Sequence, residues 1–256
     1  MSELQIHQFE AFDDNYGYLI HDEEAGLTAT IDTPDTPKIL AALGETGWRL
    51  THILNTHHHF DHAGGNEELI AKFGCEVIGP LAEADKIPGL TRTVGEGDVV
   101  EFGSHKAKVL EVPGHTLGHI AYWFEADVAA FVGDAIFALG CGRVFEGTPP
   151  QMWNSLQKLA ALPPATKIYC AHEYTQANAR FAVTVDPENA ELLARAKQID
   201  ELRARGERTV PTTIEVELAT NPFLRANEPG VQRAVGMEGA DPAAVFTEVR
   251  KRKDRF

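Results

Sequence analysis

The segment Thr-His-His-His-Phe-Asp-His, residues 56–62, places four imidazoles and one carboxylate in seven positions directly after an apolar stretch. Neutral imidazoles and carboxylates are ligands that borderline divalent metals such as zinc accept. If the chain is extended here, alternate histidines point the same way, and the acid and the last histidine turn toward a second point nearby. His58 would face away. A chance run of polar residues in a surface loop is the alternative. The candidate ligands are His57, His59, Asp61 and His62.

Three further segments repeat one pattern, in which an apolar strand candidate ends in a histidine or an aspartate. They are residues 112–119, Val-Pro-Gly-His-Thr-Leu-Gly-His; residues 131–137, Phe-Val-Gly-Asp-Ala-Ile-Phe; and residues 169–174, Tyr-Cys-Ala-His-Glu-Tyr. A lone histidine is more often a hydrogen-bonded structural residue than a ligand. The repetition nevertheless predicts a polynuclear metal site at one edge of the sheets. The added candidates are His115, His119, Asp134 and His172.

The bulk composition limits the class of protein. The 256 residues suit one large domain, or one domain with a small appendage. The net charge of −15 disfavours nucleic acid and anionic membrane as partners. Cys75, Cys141 and Cys170 are odd in number and widely spaced, which predicts free packing thiols rather than disulfides. With no secretion signal or membrane-spanning run in view, a cytoplasmic monomer is expected.

The elements that must position the candidate ligands are mostly short strands in the first two-thirds of the chain. Residues 48–80 predict a strand–helix–strand unit with a glycine stop after the helix. Residues 99–134 predict strands separated by Gly, Asp and Ser turns. Thr148 is the expected N-cap of a helix, with Pro149 at its first position and Gln151 as the capping-box partner.

The last third of the chain is predicted to be helical. After a strand at 167–172, the helical segments are 173–185, 186–206 and 241–256, and the last two open with Asp-Pro. We therefore expect two domains, residues 1–172 and residues 173–256.

The ordered motifs T-H-x-H-x-D-H, P-G-H-T-x-G-H, G-D-x-x-F and A-H-E-Y resemble those of the metallo-β-lactamase-like superfamily. The resemblance implies an α/β protein, an αβ/βα four-layer sandwich, here with a C-terminal helical domain. It assigns His57, His59 and His115 to one metal and Asp61, His62 and His172 to a second. Asp134 would bridge both metals. The structural histidines would be His7, His21, His52, His58, His105 and His119.

Four later segments resemble glyoxalase II, the hydroxyacylglutathione hydrolase family. They are GCGRVFEGT at 140–148, HEY at 172–174, TNPFLR at 220–225 and RKRKDRF at 250–256. The resemblance covers essentially the whole chain. It implies hydrolysis of S-(2-hydroxyacyl)glutathione thioesters to glutathione and a 2-hydroxy acid, the second step of methylglyoxal detoxification. S-D-lactoylglutathione is the expected substrate and D-lactate the expected acid.

The same resemblance implies two divalent metal ions per chain and a hydroxide that bridges them. Zinc is the expected metal, with iron and manganese as alternatives that the ligand types also suit. Asp61 and Asp134 would be catalytic as ligands of the metals and their hydroxide.

The basic C-terminus is the predicted binding site for the glutathione carboxylate. Five of the six residues at 250–255 are basic, and Arg250 and Lys253 share a helix face. A solvated basic helix end, favoured by the helix dipole, is the alternative. By resemblance, Arg143, Phe145 and Tyr174 complete the glutathione site. The family commonly has Lys and Tyr where this chain has Arg143 and Phe145, so a side-chain hydroxyl is missing at the second position. Asn221 and Arg225 are expected to fix the domain junction rather than to touch substrate.

Three other functions share part of this pattern. A persulfide dioxygenase of the same superfamily would hold one iron, and the segment TNPFLR with its helical domain disfavours it. A β-lactamase would be expected to carry a secretion signal and no basic tail. A non-catalytic metal-binding scaffold would be expected to have a closed and often Cys-rich site, whereas His and Asp ligands with a shared carboxylate suit an open catalytic site.

Overall fold

The structure, a computed structural model, describes residues 3–256 and divides into two compact units. The first unit contains the chain up to Glu111 and Leu117–Gly133, and the second contains Val112–Thr116 and Asp134–Phe256. The elements of the first unit are, in chain order, β1 (Gln5–Ala11), β2 (Asn15–Asp22), β3 (Leu27–Ile31), α1 (Thr36–Thr46), β4 (His52–Leu54), α2 (Phe60–Ala63), α3 (Asn66–Phe73), β5 (Glu76–Pro80), a 3-10 turn (Leu81–Glu83), β6 (Arg92–Val94), β7 (Val99–Phe102), β8 (His105–Glu111), β9 (Ile120–Phe124) and β10 (Ala129–Gly133).

Strands β1 to β6 form one mixed sheet in chain order. The first three strands are antiparallel, and β3 to β6 run parallel. Parallel neighbours need crossover connections, and α1 and α3 supply two of them. Each of these helices ends at a glycine in the left-handed region, Gly47 with φ 72° and Gly74 with φ 67°. The predicted strand–helix–strand unit at 48–80 is therefore confirmed.

Strands β7 to β10 pair antiparallel in chain order and lie against the first sheet. The ring centroids of Tyr18 and Phe131 are 5.6 Å apart. Tyr122 donates its hydroxyl to the carbonyl oxygens of Asn55 at 2.9 Å and Ile78 at 3.2 Å. These contacts place two packed sheets in the first unit, and they bring β9 beside the end of β4.

The outer face of the first sheet is covered by its two long helices. Their apolar side chains form one buried cluster with strand residues, including Leu19, Ile39, Leu43, Ile53, Leu69 and Val77. The apolar side chains of the helices, which repeat about every 3.6 residues, and those of the strands, which repeat every 2 residues, therefore pack together in a single core.

The second unit is mainly helical. Its elements are, in chain order, β11 (Ile136–Phe137), β12 (Gly140–Cys141), α4 (Pro149–Ala160), β13 (Lys167–Cys170), α5 (Thr175–Val185), α6 (Ala190–Ala204), β14 (Thr212–Thr213), α7 (Ile214–Thr220), α8 (Pro229–Val235) and α9 (Pro242–Arg255). The mixed α/β class and the helical C-terminal region are confirmed. The division of the chain at residue 172 stays a prediction.

Helix α4 begins as its sequence predicts. The Thr148 side chain accepts a hydrogen bond from the Gln151 amide, the Gln151 side chain accepts one from the Thr148 amide, and Pro149 is the first helical residue. The predicted start of α6 is wrong. Asp186 closes α5, and its carboxylate accepts hydrogen bonds from Asn189 and Arg225, both at 2.9 Å. Because that carboxylate is already used, Asn189 becomes the N-cap and α6 begins at Ala190.

The three cysteines are free and buried, as predicted. Burial raises the pKa of the Cys141 thiol to about 11 and that of Cys170 to about 12. Among the helices of residues 3–256, none has the length and apolar run that crossing a bilayer requires.

Replacing Thr148 with Ala should lower the free energy of unfolding by about 1 kcal/mol, because the helix loses its N-cap oxygen. Thr148→Ser keeps the hydroxyl and should unfold close to the wild type. Urea unfolding of both variants measures the difference, and equal midpoints for the two would contradict the capping role.

Candidate metal centre

The histidine segment leaves β4 and enters the one-turn helix α2, so its side chains lie at one end of the first sheet. His57 Nε2 lies 3.1 Å from His59 Nδ1. His62 Nε2 lies 3.5 Å from a carboxylate oxygen of Asp61. In a tetrahedral site with bonds of about 2.0–2.1 Å, neighbouring ligand atoms are about 3.3 Å apart. The first unit therefore presents two pairs of donor atoms at spacings that fit metal ions.

Asp32 holds this segment in place. Its buried carboxylate accepts hydrogen bonds from the Thr56 amide at 2.7 Å and the Thr56 hydroxyl at 2.8 Å. The same carboxylate lies 2.7 Å from His62 Nδ1. An ionised carboxylate only accepts, so the His62 proton belongs on Nδ1 and Nε2 is left as the candidate ligand atom. A carboxylate behind a ligating histidine fixes both its tautomer and its orientation.

Asn15 orients the single acid of the segment, Asp61. Its side-chain nitrogen donates to Asp61 Oδ2 at 3.1 Å. Asn15 is buried at the start of β2, whereas Asp61 is partly exposed. The Asp61 carboxylate is therefore held from one side and remains accessible on the other.

The second unit places Asp134 between two imidazoles. One Asp134 oxygen lies 3.3 Å from His115 Nε2, and the other lies 3.4 Å from His172 Nε2. A carboxylate that turns a different oxygen to each of two imidazoles has the geometry of a bridging ligand. All three side chains are buried, so their polar atoms need partners of this kind.

The backbone and an aromatic ring orient those two imidazoles. His115 Nδ1 donates to the Arg143 carbonyl at 2.9 Å, which leaves Nε2 as its candidate ligand atom. The His172 ring stacks on Tyr174, with centroids 4.6 Å apart and an angle of 4° between the planes. In each unit, the imidazoles and carboxylates oriented from behind are donor groups that fit divalent metal ions.

The remaining histidines have other partners. His119 is fully buried, and its ring stacks on His57 with centroids 4.5 Å apart. His105 lies 2.9 Å from Asp127, and His21 lies 2.9 Å from the Thr28 hydroxyl. Burial lowers the pKa of His52. Each of these side chains thus has a packing or hydrogen-bond partner, and their structural roles stay a prediction.

Arg250 is buried, with 5% of its surface exposed. Its guanidinium donates to the Cys141 carbonyl at 3.0 Å and to Asp254 at 3.0 Å, and it lies over the Phe223 ring. Lys253 is half-buried, and burial, with Arg250 and Arg143 next in effect, lowers the pKa of its ammonium group. Arg143, Arg250 and Lys253 therefore form a cluster of cations within the second unit.

Phe145 and Tyr174 lie beside the two imidazoles of the second unit. The Phe145 side chain is 61% exposed, and its ring centroid is 5.2 Å from that of His115. Tyr174 stacks on His172, as described above. Both aromatic residues therefore border ligand candidates.

The motif at 220–225 fixes the turn that leads to Arg143. The Asn221 amide donates to the carbonyl oxygens of Phe137 at 3.2 Å and Gly140 at 3.0 Å. The fully buried carboxylate of Glu217 accepts from the amides of Leu139 and Asn221, both at 2.9 Å. Within the second unit, Asn221 and Glu217 thus shape the loop whose carbonyl orients His115.

Asp32 has no place in the sequence-based site, although its signal was available. It follows the apolar strand β3, as Asp134 follows β10. Its φ of 58° is also in the left-handed region, which an aspartate adopts at some cost. The pattern of an apolar strand ending in an acid therefore identifies both residues.

Comparison with known proteins covers the whole chain. Residues 19–172 match the metallo-beta-lactamase superfamily, and residues 173–256 match the family described as Hydroxyacylglutathione hydrolase C-terminus. The chain is 57% identical to the hydroxyacylglutathione hydrolase of Maricaulis maris (strain MCS10) over 256 residues, which is 100% of both chains.

Solved structures share the fold. ETHE1 from Myxococcus xanthus superposes with a TM-score of 0.67 at 25% identity, covering 97% of this chain and 98% of that one. TTHA1623 in a di-iron-bound form superposes with a TM-score of 0.61 at 26% identity, covering 86% of this chain and 100% of that one. The predicted metallo-β-lactamase-like fold is thereby confirmed.

Replacing Asp32 with Asn should weaken metal binding about 10–100-fold, because the amide places a donor where Thr56 and His62 donate. Competition with a chromophoric chelator measures the affinity. Asp35→Asn is the matched control, since it makes the same change of charge three residues away and keeps the cap of α1. Wild-type affinity in Asp32→Asn would refute the orienting role.

Proposed function

This chain belongs to the hydroxyacylglutathione hydrolase family of the metallo-β-lactamase superfamily, and we infer that it hydrolyses S-(2-hydroxyacyl)glutathione thioesters. Water and the thioester yield glutathione and a 2-hydroxy acid. S-D-lactoylglutathione is the substrate we propose, with D-lactate as the acid. The protein is thus a metal-dependent hydrolase.

One observation in the structure carries the metal-dependent chemistry, and it is the position of Asp134. Its two oxygens face two different imidazoles at 3.3 and 3.4 Å. A site for one structural metal does not require a carboxylate whose two oxygens face different imidazoles. Two metal ions, by contrast, can share such a carboxylate as a common ligand.

The proposed ligand sets follow from the pairs within each unit. The first unit supplies His57 with His59 as one pair and Asp61 with His62 as the other. The second unit supplies one imidazole to each side of Asp134. We assign His115 to the first pair and His172 to the second, with Asp134 shared. Two divalent ions bound in this way would supply Lewis acidity and would lower the pKa of water toward about 7.

Two carboxylates and one backbone carbonyl of the chain fix the orientation and the protons of the groups around the proposed metal site. Asp61, fixed at Oδ2 by Asn15, keeps a partly exposed carboxylate that can orient water or accept its proton. Asp32 keeps the His62 proton on Nδ1, and the Arg143 carbonyl does the same for His115. Because these tautomers are set before substrate arrives, no proton has to move on either ring during the reaction.

The cation cluster of the second unit is the proposed binding site for glutathione, which carries two carboxylates and one ammonium. Arg143 and Lys253 would bind a carboxylate, and the buried Arg250 would add charge while holding Cys141. Tyr174 and Phe145 would border the peptide. Phe145 contributes ring surface and no hydroxyl, so a hydrogen bond at this position would come from backbone groups.

Finer features of the protein also remain proposals. We propose zinc as the metal, with iron or manganese as alternatives. We further propose a monomer that acts in the cytoplasm and has no nucleic-acid partner. The acidic net charge of −15 supports the last of these.

The purified protein should consume S-D-lactoylglutathione rapidly, contain about two metal ions per chain, and lose activity with a chelator. Thioester absorbance and metal analysis on one sample measure both properties.

Asp134→Ala and His57→Ala should abolish hydrolysis, whereas Asp127→Ala, which changes an acid paired with His105, should not. A fully metallated protein without hydrolysis would overturn the proposal, and one iron per chain with oxygen uptake would favour the dioxygenase.

Lys253→Gln should raise KM several-fold and change kcat little, because the lost charge binds substrate and transition state alike. Lys251→Gln, on the exposed side of the same helix, is the matched control. Burial lowers the pKa of Lys253, so its charge is lost at a lower pH than that of an ordinary lysine. The KM advantage of the wild type over Lys253→Gln should therefore shrink as pH rises. A fall in kcat with unchanged KM would contradict the binding role.

A further inference from the structure

Glu83 is a buried carboxylate that the site described above leaves unexplained. It ends the 3-10 turn after β5, and only 2% of its surface is exposed. One oxygen accepts from the His58 amide at 2.8 Å and lies 2.9 Å from His58 Nδ1. The other oxygen accepts from the Gly118 amide at 2.9 Å. A carboxylate taken out of water requires such donors, and it finds them on two segments that carry candidate ligands.

The contact with Gly118 explains a glycine of the P-G-H-T-x-G-H motif. A Cβ atom at this position would lie 2.5 Å from Glu83 Cγ and 2.9 Å from Ala82 Cβ. No side chain fits in that space, so glycine permits the close approach of the turn. The motif glycine and Glu83 therefore form one arrangement, which we call the Glu83 bridge (His58, Glu83 and Gly118).

The bridge completes a clamp around His57. On one side, Thr56 is held by Asp32 through its amide and hydroxyl. On the other side, the amide and ring of His58 are held by Glu83. The Thr56 carbonyl also accepts from the Ile120 amide at 2.9 Å. The backbone on both sides of His57 is thus fixed by a buried carboxylate.

The two carboxylates differ in what they touch. Asp32 contacts a ligand imidazole directly at His62. Glu83 instead contacts His58 and Gly118, neither of which is a ligand candidate, and both chain neighbours of His58 are ligand candidates. An effect of Glu83 on metal binding must therefore pass through the backbone, and side-chain geometry within about 0.5 Å is what such sites require.

We propose that Glu83 is a positioning residue that holds His57 and His59 in their metal-binding geometry through the backbone of His58. The proposal rests on the ligand assignment of the proposed function. It assigns His58 a role as the anchor of the ligand segment, with its ring turned to Glu83.

Glu83→Gln is the variant that tests the bridge. Glutamine keeps the shape of the side chain but replaces one oxygen with a donor, which then faces an N–H group of His58 or Gly118. Metal affinity should fall about 10–100-fold, as for other residues that orient ligands from behind. Glu76→Gln is the matched control, because Glu76 lies in β5 of the same unit and pairs with His52 at 3.6 Å.

Cobalt substitution gives a readout that a loss of stability alone would not produce. Co²⁺ affinity is measured by chelator competition, and the visible d–d spectrum reports the ligand geometry. For Glu83→Gln with wild-type circular dichroism, we expect weaker affinity and an altered spectrum, both absent in Glu76→Gln. Wild-type affinity and spectrum in Glu83→Gln, or equal weakening in Glu76→Gln, would overturn the proposal.

A second variant decides the matter if Glu83→Gln does not fold. His58→Ala removes only the ring donor and leaves the amide in place, so affinity should fall several-fold. In a double-mutant cycle with Glu83→Gln, where both fold, the two effects should be non-additive. Unchanged cobalt affinity in His58→Ala would overturn the bridge.

The wild type separates this proposal from the one on which it rests. A wild-type protein that binds no metal and cleaves no thioester overturns the proposed function. A wild type that does both, beside a Glu83→Gln variant with unaltered cobalt binding, overturns only the role of Glu83.

Discussion

A carboxylate removed from water must be met by hydrogen-bond donors, and Asp32 obtains three of its donors from the ligand segment itself. This requirement for hydrogen-bond donors constrains both the acid and the residues that donate to it. The buried acid is stabilised because Thr56 and His62 donate to it, and these residues are held because the acid must be satisfied. Breaking such a network by removing one partner leaves a buried charge or donor uncompensated, at a cost of several kcal/mol. The geometry of the first unit's ligands is therefore coupled to the stability of its core.

The second unit reaches the same result mainly with backbone groups. A carbonyl of Arg143 orients His115, so the path of the loop at 137–143 sets the direction of the ligand. That loop is held by Asn221, Glu217 and Arg250, which all come from the helical C-terminal region. The C-terminal region is thus part of the framework of the second unit. It also shapes the segment from which one imidazole is oriented.

The cations of the second unit also couple the proposed site to the fold. The chain is strongly acidic, yet burial and then the charges of Arg250 and Arg143 lower the pKa of Lys253. Cations held close together repel one another, and an anion bound between them would relieve that repulsion. Arg250 shows the limit of this argument, since its guanidinium also holds Cys141 and Asp254. The substrate-binding role proposed for Arg250 and its hold on the loop would come from the same buried group.

The sequence by itself determined the kinds of groups and their order along the chain. Strand ends marked by His or Asp indicated the candidate ligands, Thr148 with Gln151 indicated a helix start, and the glycine after α3 marked a helix end. These features depend on residues close together in the chain, and local patterns record them well.

The start of α6 was placed wrongly because Asp186 is engaged by Arg225, 39 residues away. Only the tertiary structure decided which buried acids stand behind the ligands. Asp32 lies 24 residues from Thr56, and Glu83 lies 25 from His58 and 35 from Gly118. Hydrogen bonds between residues so far apart in the chain depend on how the strands and turns pack. The sequence periodicity of 2 or 3.6 residues does not encode them.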